Sequence, residues 1–272
     1  MRVHALQTGT VQVKSAHRAL RGPDALRFAA VLFDPTYTEP LPVYAWLIEH
    51  PEGLILVDTG ASAATANPDG FACERSLARL LRWSGFPRFH VTPEQEIGPQ
   101  LRRLGLSPRD VRWVVLTHLH PDHAGGLAHF PHAEVLVSRQ EYEAYRHRSA
   151  GFTPHLIDYP HAPPWPFPGA YTLTQASDVH LVPTPGHSPG HQSVILQTEE
   201  VALLFAGDTS FSEEQLRAKE LAGSVHDSRQ ARQTLQHLHD YVELTPTVYL
   251  PSHDPDAPRR LAERRAVVDC GC

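Results

Sequence analysis

Five times along this 272-residue chain an apolar run ends on histidine or aspartate. LILV runs into Asp58, WVVLT into His118, LVPTPG into His187, ALLFAG into Asp208 and TVYLPS into His253. Apolar runs of this length, bounded by Gly, Pro and polar turns, read as strands, and several suit a sheet buried on both faces. One such ending means little, because loop histidines and capping aspartates are common. Five imply strand ends that converge on one rim, the carboxyl edge where α/β sheets carry their chemistry.

The remaining segments fit between these strands. Residues 3–13 alternate loosely and 41–50 form a second strand, with His50-Pro51-Glu52-Gly53 turning the chain into LILV. CERSLARLLRW (73–83) has helical spacing. The stretch 93–105 reads as one helix with Pro93 near its start and Gly105 past its end. EVLVS (134–138) is a strand, 139–147 a helix, 180–187 and 193–198 strands, 228–244 a helix and 247–254 a last strand. Helices and strands alternate with no linker or repeat, which predicts an α/β chain with residues 1–272 in one domain. FTPHLIDYPHAPPWPFPG (152–169) is too rich in proline and aromatics for regular structure, and reads as a linker or as a lid or pocket wall.

Composition excludes several classes. A hydrophobic fraction of 41% is enough for a packed core. With 24 basic residues, a net charge of −6 and Lys14 and Lys219 as the only lysines, there is no basic stripe. No nucleic-acid partner is expected. No apolar run approaches the ~20 residues that span a bilayer, so no membrane partner is expected either. The first residues lack the pattern of a signal peptide, and Cys73, Cys270 and Cys272 are an odd set. Unpaired thiols in a cytoplasmic protein are expected, with a metal-binding CGC tail as the alternative. The 19 histidines direct attention to metal.

They are densest in THLHPDHAGG (117–126), which places His118, His120, Asp122 and His123 within six positions. Zinc-like ions take imidazole nitrogen and carboxylate oxygen, and a catalytic site leaves a position open for water. His118 and His120 can face one ion from a loop after a strand. Asp122 and His123 are adjacent and point in different directions, which suits a second ion. A carboxylate such as Asp208 can bridge two cations roughly 3.5–4 Å apart. Gly125 and Gly126 allow a tight turn and close backbone approach.

THLHPDHAGG resembles the HxHxDH signature of the metallo-β-lactamase superfamily. Asp58 in LVDTG, His187 in TPGHSPGH, Asp208 in AGDTS and His253 resemble its other motifs in the same order, over about residues 40–255. The resemblance implies a four-layer αββα sandwich with metals at one edge. It places His118, His120 and His187 on one ion, Asp122, His123 and His253 on a second, and Asp208 between them. Asp58 would steady the ligand loop or merely cap its strand, and His191 would pack or hydrogen-bond beneath the loop. Two divalent ions are implied, zinc first, with cobalt, manganese and iron also compatible.

Within the superfamily, LPVYAWLIEHPEGLILVDTG, HPDHAGG, RQEYEAYRHR and TPGHSPGHQSVILQTE resemble the N-acyl homoserine lactonases. That implies a homodimer that opens lactone rings by attack of a hydroxide held between two metals, with Asp122 passing the proton to the leaving alkoxide. One position departs from the group: Phe211 stands where those enzymes carry a tyrosine whose hydroxyl helps hold the substrate carbonyl. The alternatives are therefore another lactone, a carboxylic ester, a phosphotriester, or a thioester of the glyoxalase II type. The short stretch after His253 leaves little room for the substrate-binding helices of that last type. A non-catalytic metal-containing sensor is a further alternative of a different class.

Overall fold

The computed structural model describes residues 1–19, 26–66, 87–145, 152–160 and 166–267. The helix expected over 73–83, the three cysteines and residues 161–165 of the proline-rich segment lie outside these.

Seven strands form the first sheet: β1 (Arg2–Gln12), β2 (Leu41–His50), β3 (Gly53–Val57), β4 (Arg88–His90), β5 (Val111–Val115), β6 (Glu134–Ser138) and β7 (His155–Ile157). Their order is β4-β1-β2-β3-β5-β6-β7. The second sheet holds β8 (Tyr171–Thr172), β9 (Val179–Pro183), β10 (Gln192–Gln197), β11 (Ala202–Gly207) and β12 (Thr247–Pro251), in the order β12-β11-β10-β9-β8.

The period-two alternation of strand side chains explains why these runs are apolar throughout. Trp46, Ile48, Ile55, Val57, Trp113 and Val115 point inward and pack against Leu181, Val194, Phe205, Val248 and Leu250 of the other sheet. Their neighbours point outward. Leu47, Leu56 and Val114 meet Ile97 and Leu101 of the helix Ile97–Arg103. Ile195, Leu204 and Tyr249 meet Leu235, Leu238 and Val242 of the helix Ser228–Leu244. The layers are thus helix, sheet, sheet, helix, as the resemblance implies. That second helix begins where Asp227 accepts from the N–H groups of Arg229 and Gln230, a standard N-cap.

The topology brings the expected strand ends together. β3 pairs parallel with β5 and β5 with β6, while β11 pairs parallel with β12 in the second sheet. The Tyr44 N–H donates to the carbonyl of Ser252 just beyond β12, 3.0 Å away, so the two sheets meet beside His253. At another junction the His50 ring lies 3.1 Å from the Asp178 carboxylate. Among the described residues no helix is long and apolar enough to cross a membrane.

Two expectations need correction. The helix read over 93–105 is a 3-10 turn at Pro93–Gln95, then a helix at Ile97–Arg103. Glu96 between them is extended, because its carboxylate accepts from the Ala63 N–H at 2.8 Å and pairs with His129 at 2.7 Å. The proline-rich segment does contain regular structure: His155–Ile157 adds a parallel edge strand to β6. There the apolar pair Leu156-Ile157 gains more by joining the sheet than the nearby prolines forbid.

Candidate metal centre

The first ligand-rich loop is built by β5 and a very short helix. β5 delivers Thr117 and His118, and His120 then caps the helix Pro121–Ala124, whose first residue is proline. The His120 carbonyl accepts from the N–H groups of His123 and Ala124, both at 3.0 Å. Thr59 stitches this loop to the end of β3: its N–H and hydroxyl both donate to the His123 carbonyl, at 2.7 and 2.9 Å. Gly126 is required by space rather than by its ordinary φ of −89°, since a Cβ there would lie 2.4 Å from the Thr59 carbonyl oxygen.

Two groups of donor atoms result. His118, His120, His187 and Asp208 form one, and Asp122, His123 and His253 the other, each with its ligand atoms mutually within 4.8 Å. In the first, His118 Nε2 lies 2.9 Å and His187 Nε2 3.1 Å from His120 Nδ1. In the second, Asp122 Oδ2 lies 3.4 Å from His253 Nε2 and 3.8 Å from His123 Nε2. Asp122 and His123 therefore face the same point, although their adjacency suggests divergence; the His123 ring is drawn round by its bond to Asp58. Asp208 divides its oxygens between the groups. Oδ2 is 3.4 Å from His187 and 3.9 Å from His118, while Oδ1 is 3.2 Å from His123 and 3.4 Å from His253.

The other ring nitrogens are fixed from behind. His123 Nδ1 donates to Asp58 Oδ2 at 2.8 Å, and His253 Nδ1 donates to the Pro42 carbonyl at 2.8 Å. His118 Nδ1 is 3.0 Å from the Thr117 hydroxyl. Asp58 also accepts from the Thr117 N–H at 2.7 Å and from its hydroxyl, so it both ends β3 and holds the histidine loop. His191 lies beneath: its Nε2 accepts from the Asp208 N–H at 3.1 Å, so Nδ1 carries the proton toward the Thr184 hydroxyl at 2.9 Å. Gly207, at φ +55°, leaves room for that ring, since a Cβ would meet His191 Nε2 at 2.5 Å.

Electrostatics favour cations here. Burial holds the imidazoles of His118 and His187 well below the ordinary histidine range, leaving neutral rings with lone pairs to offer. Burial acts the same way on His123 and His253, but the charges of Asp208 and its neighbouring carboxylates outweigh it. His123 is held well above its usual value and His253 at about 10. Burial would raise Asp122, yet His123 and His253 bring it to about 2, and Asp208 is held well below the usual carboxylate range. Buried carboxylates of this kind need positive charge. His123 Nε2 and Asp208 Oδ1 are buried without a hydrogen bond although they face each other. Imidazole and carboxylate atoms converging in this way fit a pair of divalent ions.

Some residues of this arrangement give no signal in the sequence. Glu141 lies fully buried in the helix Arg139–Tyr145, accepting from the Leu119 N–H, the Ser188 hydroxyl and the Gly190 N–H. Thr117, Thr184 and the Pro42 carbonyl are likewise ordinary residues until the fold brings them to a ligand. Phe211 is buried and stacks on His253, with ring centres 5.8 Å apart and 28° between planes.

Comparison with known proteins agrees with this geometry. The family model for the metallo-beta-lactamase superfamily matches residues 38–253. N-acyl homoserine lactonase AiiA of Bacillus thuringiensis subsp. kurstaki is 33% identical over 215 residues, covering 79% of this chain and 82% of its own. N-acyl homoserine lactonase AttM of Agrobacterium fabrum is 28% identical over 271 residues, covering 94% of each. A solved N-acyl homoserine lactone hydrolase, with the product N-hexanoyl-L-homoserine at its catalytic metal centre, has a TM-score of 0.75. It is 26% identical, and 94% of each chain is covered. With the signature loop, the four layers and the matched residues in agreement, the chain belongs to the metallo-beta-lactamase superfamily.

Proposed function

We propose that this chain is a metal-dependent hydrolase that opens lactone rings, with N-acyl homoserine lactones as its substrates. The observation that carries this reading is the pair of donor groups sharing Asp208, in a chain 33% identical to enzymes of that activity. His118, His120 and His187 would hold one ion, Asp122, His123 and His253 the other, and Asp208 both. Zinc suits the donor set, with cobalt, manganese and iron also compatible, and two such ions supply Lewis acidity and lower the pKa of water.

The chain's own residues orient and move protons. Asp58, Thr117 and the Pro42 carbonyl fix the rings, so that their free nitrogens face the site. Asp122, an ionised carboxylate turned into the centre, takes the proton given up by the attacking water. It delivers that proton to the ring oxygen as the acyl C–O bond breaks, leaving a hydroxy acid. Phe211 forms an apolar wall beside His253, and its ring has no hydrogen bond to donate. The one-domain organisation across 1–272 is supported by the unbroken alternation of elements. The homodimer is supported by resemblance to the lactonases, and a cytoplasmic setting by the odd cysteine count.

Ring opening of N-hexanoyl-homoserine lactone should be compared with that of a simple δ-lactone, a thioester and paraoxon, with metal content measured. The acyl homoserine lactone is expected to have the highest kcat/KM, with two metal ions per chain. No turnover of any homoserine lactone beside good turnover of another class would replace this reading with an esterase or phosphotriesterase. His118→Ala with full metal and activity would sink the site assignment.

A further inference from the structure

One more imidazole reaches the centre, from the short helix Ser15–Arg18 near the start of the chain. The His17 ring stands edge-on to Phe211, with centroids 6.0 Å apart and planes at 82°, and Phe211 in turn stacks on His253. Its backbone is pinned on both sides. The His17 N–H donates to the Lys14 carbonyl at 2.8 Å, and the His17 carbonyl accepts from the Gly223 N–H at 2.7 Å. The Ala16 N–H donates to Asp34 at 2.6 Å, and the Gln215 side-chain amide donates to the Arg18 carbonyl at 2.7 Å. Gly223 permits this contact, because a Cβ there would collide with the Ala16 carbonyl oxygen.

The ring itself, in contrast, makes no hydrogen bond or ion pair among the described residues. His123, His253 and His191 each have a ring nitrogen bonded to the protein. A half-buried imidazole held in place by its backbone, with neither ring nitrogen bonded to the described residues, is positioned to bond a ligand. Burial pushes His17 down to about 4, so at neutral pH the ring has one N–H to donate and one lone pair to offer. Phe211, which it borders, stacks in turn on His253, a member of the second donor group.

We infer that His17 is a catalytic residue that donates its ring N–H to the carbonyl oxygen of the lactone, on the side of the centre walled by Phe211. The inference rests on the lactonase reading above. The donor strengthens its bond as that oxygen gains negative charge, the moment at which an oriented N–H is most effective.

The test compares full-length wild type, His17→Phe and His17→Gln on N-hexanoyl-homoserine lactone and on unsubstituted γ-butyrolactone, with metal content and thermal midpoint measured for each. His17→Phe keeps a ring without the N–H. Its kcat is expected to fall on the order of 10- to 100-fold on both substrates, with metal and midpoint retained. His17→Gln, which restores an N–H donor, is expected to recover a large part of that loss. Unchanged kcat in His17→Phe, loss confined to the acylated substrate, loss of metal, or a Gln variant as poor as Phe would each overturn the inference. A wild type that opens neither lactone would overturn the lactonase reading itself, and this inference with it.

Discussion

Asp58 sits in left-handed backbone at φ +60°, a conformation that aspartate tolerates because its short side chain bonds locally. From there its carboxylate spans the Thr117 N–H, the Thr117 hydroxyl and His123 Nδ1. Asparagine in its place keeps an acceptor for Thr117 but loses the charge that raises the basicity of His123. Asp58→Asn is therefore expected to weaken metal affinity or activity by about 10- to 100-fold, as outer partners of ligand histidines commonly do. Metal analysis should show the loss at the Asp122, His123 and His253 group. Two retained ions and an unchanged rate would reduce Asp58 to a strand-end cap. At this scale the sequence disclosed the residues that end strands, because an apolar run into His or Asp is a local pattern. His17 and Glu141 have no such pattern: one is a histidine among 19, the other a glutamate on an ordinary helix.

The helix Arg139–Tyr145 shows what an element adds. It follows β6 and places Glu141 between two loops that carry candidate ligands and come from different sheets. Oε1 accepts from the Leu119 N–H at 3.0 Å, between His118 and His120, and Oε2 accepts from the Ser188 hydroxyl at 2.7 Å and the Gly190 N–H at 2.9 Å, beyond His187. Removing the carboxylate leaves three buried donors, each costing about 1–3 kcal/mol when unmet. Glu141→Ala is accordingly expected to lower stability by about 3–5 kcal/mol, allowing for partial relaxation, as read by urea denaturation. A change below about 1 kcal/mol would show that water replaces the clamp without cost. Elements marked by a short apolar run, such as β3, β5 and β6, or by helical spacing, such as the helix Ser228–Leu244, were legible in the sequence. The break at Glu96 and the edge strand His155–Ile157 were not, because each depends on partners distant in sequence: Ala63 and His129 for one, β6 for the other.

On the scale of the whole molecule, the two sheets share an apolar interior but meet at the centre through charged side chains. Asp58, His118, His120, Asp122 and His123 lie beyond strands of the first sheet, and His187, Asp208 and His253 beyond strands of the second. Both donor groups therefore draw on both sheets: His118 and His120 stand with His187 and Asp208, and Asp122 and His123 stand with His253. The sequence indicated strands buried on both faces but not which strands share a sheet, since that is decided by pairing between segments far apart. An ion held at either group would tie the two sheets together at this end of the sandwich, so ligand binding and folding should be coupled. Stripping metal with a chelator is expected to lower the thermal midpoint, and zinc added back to raise it steadily with the logarithm of its concentration. At 1,000 times the dissociation constant the gain should be about 4 kcal/mol, with each kcal/mol worth about 2–4 °C for a chain of this length. Identical midpoints for stripped and loaded protein would mean that packing alone joins the sheets, and that the centre adds chemistry without stability.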